Sequence, residues 1–188
     1  MKTLKIGNLT LRVPIIQGGM GVGVSLSGLA SAVATEGGIG VISCAGLGLL
    51  YRDSSRSFQE SGVFGLKEEL RKAREKTSGI IGVNIMVALT NFVDMVKIGI
   101  AEKVDVIFSG AGLPLDFPAY LEKDSVTKLV PIVSSARAAR IICSKWNAKY
   151  GSLPGAVVVD GPKAGGHLGY KEADINDIPY SLDELIPD

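Results

Sequence analysis

The stretch GAVVVDGPKAGGHLGY, residues 155–170, joins an apolar run to a glycine-rich loop. The run is rich in valine, which is typical of a buried strand. The loop holds His167, the only histidine of the chain, among Gly165, Gly166 and Gly169. Histidine changes its charge near neutral pH, so its position just beyond a strand makes the loop a candidate reactive segment.

Apolar runs of the same kind recur along the chain and alternate with helical patterns. Six runs are predicted as strands, at 14–21, 39–46, 80–87, 104–112, 128–135 and 155–161. Helices are predicted at 25–38, 66–77, 91–103, 117–124 and 136–151, with a polar insertion at 50–65. A last helix is predicted to begin within 181–188, with Ser181 as N-cap and Glu184 completing a capping box. Six β-then-α units with Val/Ile-rich strands predict an α/β fold with a parallel sheet covered by helices.

Two parallel architectures fit this alternation, an open doubly wound sheet and a closed (β/α)8 TIM barrel. The glycines at 19, 21 and 23 do not have the G-x-G-x-x-G spacing of a nucleotide-binding sheet, and the sequence has no Gly-Lys-Ser/Thr P-loop. Polar and glycine residues instead fall at the C-terminal ends of several strands, which is where a barrel builds its active site. We therefore expect a TIM barrel of which six βα units are present. Residues 1–188 would then be the N-terminal three quarters of a single domain, with strands 7 and 8 missing.

The charge balance is nearly even, with 20 Lys and Arg against 19 Asp and Glu and a net charge of +1. It offers no basic surface for nucleic acid or for an anionic membrane, and no apolar run reaches the roughly 18 residues of a membrane span. Cys44 and Cys143 lie in apolar segments, which indicates thiols in a reducing compartment. One histidine and two distant cysteines make no metal-ligand set. We expect a cytoplasmic protein without a metal, and a homodimer is left open.

Three stretches carry a resemblance to a known family: PIIQGGMG at 14–21, GVNI at 82–85 and DGPKAGGHLG at 160–169. Together they resemble the nitronate monooxygenases, formerly called 2-nitropropane dioxygenases, which are related to the flavin-dependent enoyl-ACP reductases. The last stretch is the most specific of the three. At the first strand the family more often has Ala-Pro-Met where this chain has Gly-Gly-Met. The resemblance covers the whole chain and implies an FMN-dependent TIM barrel.

The resemblance also implies which residues form the site. The FMN-binding set would be Gln17, Gly18, Gly19, Met20, Asn84, Asp160, Lys163, Ala164, Gly165 and Gly166. Ser109 and Gly110 would line the substrate side. His167 would be the base that removes the α-proton of a nitroalkane, or the group that orients a bound nitronate.

Three functions are compatible with these features. The favoured one is oxidation of alkyl nitronates or nitroalkanes by O2, with FMN as cofactor, to a carbonyl compound and nitrite. A flavin-dependent enoyl-ACP reductase that uses NAD(P)H shares the barrel and the histidine loop. A barrel that binds ligands or serves as a scaffold without catalysis is the third alternative, because a lone histidine is more often structural than catalytic when read without context.

Overall fold

A five-stranded parallel sheet forms the centre of the molecule, and its strands lie side by side in the order in which they occur along the chain. The computed structural model describes residues 3–167, 169–176 and 181–186. The strands of the sheet are β3 (Ile39–Ser43), β4 (Ile80–Asn84), β5 (Val106–Ser109), β6 (Lys128–Val133) and β7 (Val158–Val159). A separate antiparallel hairpin, β1 (Leu4–Ile6) with β2 (Leu9–Leu11), precedes them. The strand order follows the chain order, which confirms the predicted α/β fold with a parallel sheet; the sheet is a half-barrel, consistent with part of a TIM barrel.

Helices between successive strands pack against one face of the sheet, and a short last helix follows the final strand. They are α1 (Ser27–Thr35), α2 (Leu47–Leu50), α3 (Phe58–Lys76), α4 (Phe92–Ala101), α5 (Ala136–Tyr150) and α6 (Leu182–Leu185), with 3-10 turns at Phe117–Tyr120 and Glu172–Asp174. Gly151 ends α5 with a left-handed backbone, as its sequence position predicted. Among the described residues, no helix is long and apolar enough to span a membrane.

The first of the six predicted strands is reduced to a single bridge, between Ile16 and Ile39. Ile39 N donates to Ile15 O, and Gln17 N donates to Ile39 O, both at 3.0 Å. Beyond Gln17 the chain turns at two glycines and leaves β3. Within residues 3–167, 169–176 and 181–186 there are therefore five parallel strands and one short extended segment, and six complete βα units are not observed there.

Side chains of the strands alternate between two apolar layers, as the period of two along a strand requires. Ile42, Val83 and Ile107 belong to the layer under the helices. Val41 and Phe108 belong to the opposite, inner layer, together with Ile39, Val106 and Val130. Ile6 and Leu11 of the N-terminal hairpin are buried in the inner layer, so the hairpin covers part of that face. The sequence signal for the hairpin is Gly7-Asn8 between the alternating triplets LKI and LTL, and Gly7 has the positive φ of 58° that such a tight turn uses.

Two predicted helix features are wrong in detail. The predicted insertion at 50–65 is largely helical, because α3 begins at Phe58 and not at residue 66. Ser57 and Glu60 form a reciprocal capping box that starts this helix. At the other end of the chain α6 follows Ser181 as predicted, but the Ser181 side chain makes no capping hydrogen bond, and Glu184 N bonds to the Ser181 carbonyl instead.

Candidate functional site at the strand ends

The first turn is attached to the sheet by the side chain of Gln17. Its Nε2 donates to Val41 O at 3.0 Å, and Val41 N donates to its Oε1 at 3.3 Å. The side-chain amide thus takes the place of a backbone peptide in the ladder beyond the Ile16 bridge. The Gln17 side chain is therefore engaged by the protein, and the turn offers a ligand its backbone.

Ser25 holds the same turn in place, whereas the sequence predicted it only as the start of a helix. It is fully buried. Its hydroxyl accepts from Gln17 Nε2 and from Met20 N, each at 2.9 Å, and donates to Gly18 O at 3.0 Å. The N–H groups of Gly18 and Gly19 have no hydrogen-bond partner within the part of the chain that the structure describes.

Gly19 packs directly against Asn84, which ends β4. A methyl group at Gly19 would lie 2.4 Å from Asn84 Cβ and 2.8 Å from its Cγ. Asn84 O accepts from Cys44 N at 3.0 Å, whereas its half-buried side-chain amide has no hydrogen-bond partner among residues 3–167, 169–176 and 181–186. The fold thus brings together two sequence-predicted groups, with unpaired donors on the turn and an unpaired amide beneath it.

Ser109 and Gly110 lie at the end of β5, where successive residues face opposite sides of the sheet. Phe108 belongs to the inner layer, so Ser109 points to the opposite side. Ser109 is fully buried, and its hydroxyl donates to Ile85 O at 2.9 Å. Gly110 is buried against Ile132, whose Cβ would be 3.1 Å from a methyl group at residue 110. The Ser109 hydroxyl is consequently not available to a ligand at the strand ends.

Asp160, Lys163 and Ala164 line a cavity of about 580 Å³ beyond β7. Its other described walls come from 161–162, 175–176 and 181–183 and from Val159, and they include neither the first turn nor Asn84. Asp160 N donates to Val133 O at 2.8 Å, which continues the β6–β7 pairing. Burial raises the pKa of the Asp160 carboxyl above its ordinary value.

Tyr170 is the last residue of the glycine-rich loop, and no role was predicted for it from the sequence. Its hydroxyl lies 2.9 Å from Ser134 O and 2.8 Å from Asp160 O, so its single proton is shared between the carbonyls that follow β6 and β7. Gly169 sits against Ser134, whose Oγ would be 2.6 Å from a methyl group there. These contacts fix the two ends of the loop.

Between those ends the loop is open to solvent. His167 is exposed, as are Gly165 and Gly166. A methyl group at either glycine would meet nothing within 4 Å, and Gly166 has a φ of 92°. The described loop thus presents the imidazole and a stretch of bare backbone to the space beyond β7.

The chain is similar to a known protein family and to solved structures. The family model for nitronate monooxygenase matches residues 2–188. FabK from Thermotoga maritima is 30% identical over 85% of this chain and 44% of that chain, with a TM-score of 0.64. A nitroalkane oxidase from Streptomyces ansochromogenes is 20% identical over 87% of this chain and 51% of that chain, with a TM-score of 0.66, and supports the fold alone. No curated protein matches the chain. The chain spans about half the length of these solved structures.

Proposed function

Since the chain belongs to the nitronate monooxygenase family, we propose that it is a flavin-dependent oxidoreductase whose parallel half-barrel is part of a (β/α)8 barrel. FMN is its cofactor, and the reaction is oxidation of an alkyl nitronate or nitroalkane by O2 to a carbonyl compound and nitrite. The contact of Gly19 with Asn84 supports the proposal most directly. It joins two motifs, 65 residues apart, into one group of unpaired donors and acceptors.

The donors and acceptors at the strand ends fit a flavin. A flavin ring edge carries carbonyl oxygens and ring nitrogens, which need N–H donors and an amide that can both donate and accept. The N–H groups of Gly18 and Gly19 and the Asn84 amide have these properties. A methyl group at Gly165 or Gly166 would meet nothing within 4 Å, so the backbone there can approach the ring or its ribityl chain closely. When bound, FMN supplies the electron-transfer chemistry, and the protein orients the substrate beside it.

His167 has the proton-transfer role in this proposal. Its imidazole can take the α-proton of a neutral nitroalkane at Nδ1 or Nε2, or can hydrogen-bond to the nitro oxygens of a substrate that is already anionic. The loop is held at its start by the bond of Asp160 N to Val133 O and at its end by Tyr170, and the exposed position of His167 between them leaves the ring accessible to a small substrate. The Ser109 hydroxyl is given no part, because it is already bonded to Ile85 O.

Two measurements test the proposal. The visible spectrum of the purified protein should show the two absorption bands of oxidised flavin, and their absence after incubation with FMN would favour a barrel without catalysis. His167→Ala should retain FMN but lose turnover of neutral nitroalkanes. Turnover of a preformed nitronate by that variant identifies His167 as the base, whereas loss with both substrates identifies an orienting group. Unchanged activity with both substrates would remove His167 from the mechanism.

An enoyl-ACP reductase that uses NAD(P)H is the second candidate, and the identity to FabK supports it. The two activities consume different reagents. Oxidation of NAD(P)H that depends on an enoyl thioester would favour the reductase. Uptake of O2 with release of nitrite from a nitronate would favour the oxidase.

A further inference from the structure

We propose that Ser25 is the positioning residue of the flavin site, because its hydroxyl holds the turn 17–20 in the shape that presents the N–H groups of Gly18 and Gly19. This inference rests on the proposed function, since it takes FMN as the ligand of that turn. Ser25 itself is fully buried under the turn and does not touch the ligand.

The hydrogen-bonding capacity of the Ser25 hydroxyl is used completely by the turn. A hydroxyl has one donor and two acceptor positions. The donor position is taken by Gly18 O, and the two acceptor positions by Met20 N and Gln17 Nε2. One buried atom therefore connects three residues of the turn and fixes their relative positions.

The backbone of Ser25 is also anchored, so the hydroxyl acts from a fixed point. Ser25 N donates to Met20 O at 3.0 Å, and Ser43 N, at the end of β3, donates to Ser25 O at 2.9 Å. The following helix α1 is seated closely on β3, because a methyl group at Gly40 would lie 1.7 Å from Ala30 O. The turn is thus held through Ser25 to the centre of the sheet.

Ser25 does not cap α1, although a serine just before a helix usually does. The residue at the N-cap position is Leu26, which makes no side-chain capping bond. The Glu69 carboxylate from α3 accepts from Ser27 N at 2.6 Å instead. Tyr51 and Lys72 both donate to Glu69 and hold its carboxylate in place. The cap is supplied by a distant residue, and the Ser25 hydroxyl is left to the turn.

The experiment compares three variants of the full chain with the unchanged protein. Ser25→Ala removes the hydroxyl, and Ser25→Cys keeps nearly the same volume while replacing it with a weak hydrogen-bonding group. Ser61→Ala is the matched control, because Ser61 is equally buried but its hydroxyl has no partner among the described residues. FMN affinity is measured by quenching of flavin fluorescence, and the order of the turn by hydrogen exchange of the Met20 amide.

Both Ser25 variants should raise the Kd for FMN about tenfold, a net change of about 1.4 kcal/mol, because the three hydrogen bonds of the hydroxyl that hold the turn are lost or weakened. Exchange of the Met20 amide should become faster by a similar factor, since Met20 N keeps only its 3.1 Å bond to Gly18 O. Ser61→Ala should leave both quantities within about twofold of the unchanged protein. Equal FMN affinity in the Ser25 variants and the unchanged protein would overturn this inference and leave the proposed function intact, even if thermal stability fell. Failure of the unchanged protein to bind FMN would overturn the proposed function and, with it, this inference.

Discussion

Replacement of Gly19 with alanine tests the central contact of the site. The new methyl group would lie 2.4 Å from Asn84 Cβ and 2.8 Å from Asn84 Cγ. Carbon atoms in good contact are about 3.5–4.0 Å apart, so one side must move by about 1 Å. Asn84 is paired with Ser43 on one side and Phe108 on the other. Because the strand is held on both sides, we expect the turn to move.

The displacement should lower both stability and FMN affinity. Overpacking of this kind costs about 1–3 kcal/mol. For a chain of this size the melting temperature falls by about 2–4 °C per kcal/mol, which calorimetry or thermal fluorescence of the FMN-free protein will detect. The same movement separates the Gly19 N–H from the Asn84 amide by about 1 Å, enough to lose the hydrogen bonds of a shared ligand. FMN titration should therefore show weaker binding as well as lower stability.

The neighbouring glycine provides the matched control. A methyl group at Gly18 would meet nothing within 4 Å, so Gly18→Ala should change the free energy of unfolding by less than about 0.5 kcal/mol. In the background of Asn84→Gly the conflicting Cβ is gone, and Gly19→Ala should then cost less than it does alone. If Gly19→Ala is as stable as Gly18→Ala, the turn does not lie against β4 and the site as described is wrong.

Three further substitutions test individual groups. Tyr170→Phe should loosen the loop after β7 by about 0.5–1.5 kcal/mol, measured by hydrogen exchange of 161–167, because two strand-end carbonyls lose their shared donor. Burial raises the pKa of Asp160 in the folded protein, so the charged carboxylate opposes folding at pH 7. Asp160→Asn should therefore raise the melting temperature at pH 7. The gain should disappear below the unfolded pKa of about 3.8, where the carboxyl is protonated in both the folded and the unfolded protein. Burial acts to raise the pKa of Glu69, but the hydrogen bonds that the carboxylate accepts outweigh burial and lower it. Glu69→Ala should therefore lower the free energy of unfolding by about 3 kcal/mol at pH 7. The loss should become smaller as the pH falls below the unfolded pKa of about 4.5. Glu68→Ala, one residue earlier on the same helix, is the control and should have little effect in the same urea titrations.

Local sequence patterns predicted the type of each helix and strand better than the residues at which it begins and ends. Alternation of apolar runs with helical patterns correctly predicted the parallel sheet, because β3 to β6 are largely buried on both faces and form continuous apolar runs in the sequence. The capping box at Ser57 and Glu60 marks the true start of α3, and the turn at Gly7-Asn8 predicts the N-terminal hairpin; both signals are in the sequence and neither was used. These omissions were failures to use available local signals.

Side-chain direction and long-range contacts were harder to predict. Ser109 lies one residue after Phe108, and a shift of one position in a strand moves a side chain to the opposite face. The link between Glu69 and Ser27 spans 42 residues, and the bonds from Tyr170 to the ends of two strands depend on how the loop returns. No periodicity or motif encodes such contacts, because they follow from the packing of elements that are far apart in the chain.

The backbone at the edge of the sheet explains why a site can form there. Within the sheet each strand pairs its N–H and C=O groups with its neighbours, and nothing remains for a ligand. The first extended segment makes only the Ile16 bridge, so its pairing ends early and two side chains, Gln17 and Ser25, replace the missing ladder. Met20 N and Gly18 O bond to each other at 3.1 Å and both also bond to the Ser25 hydroxyl, whereas the N–H groups of Gly18 and Gly19 have no partner among the described residues. Unpaired donors held on a rigid support are what a bound anion or heterocycle requires, so early termination of the first strand is itself a condition for the site.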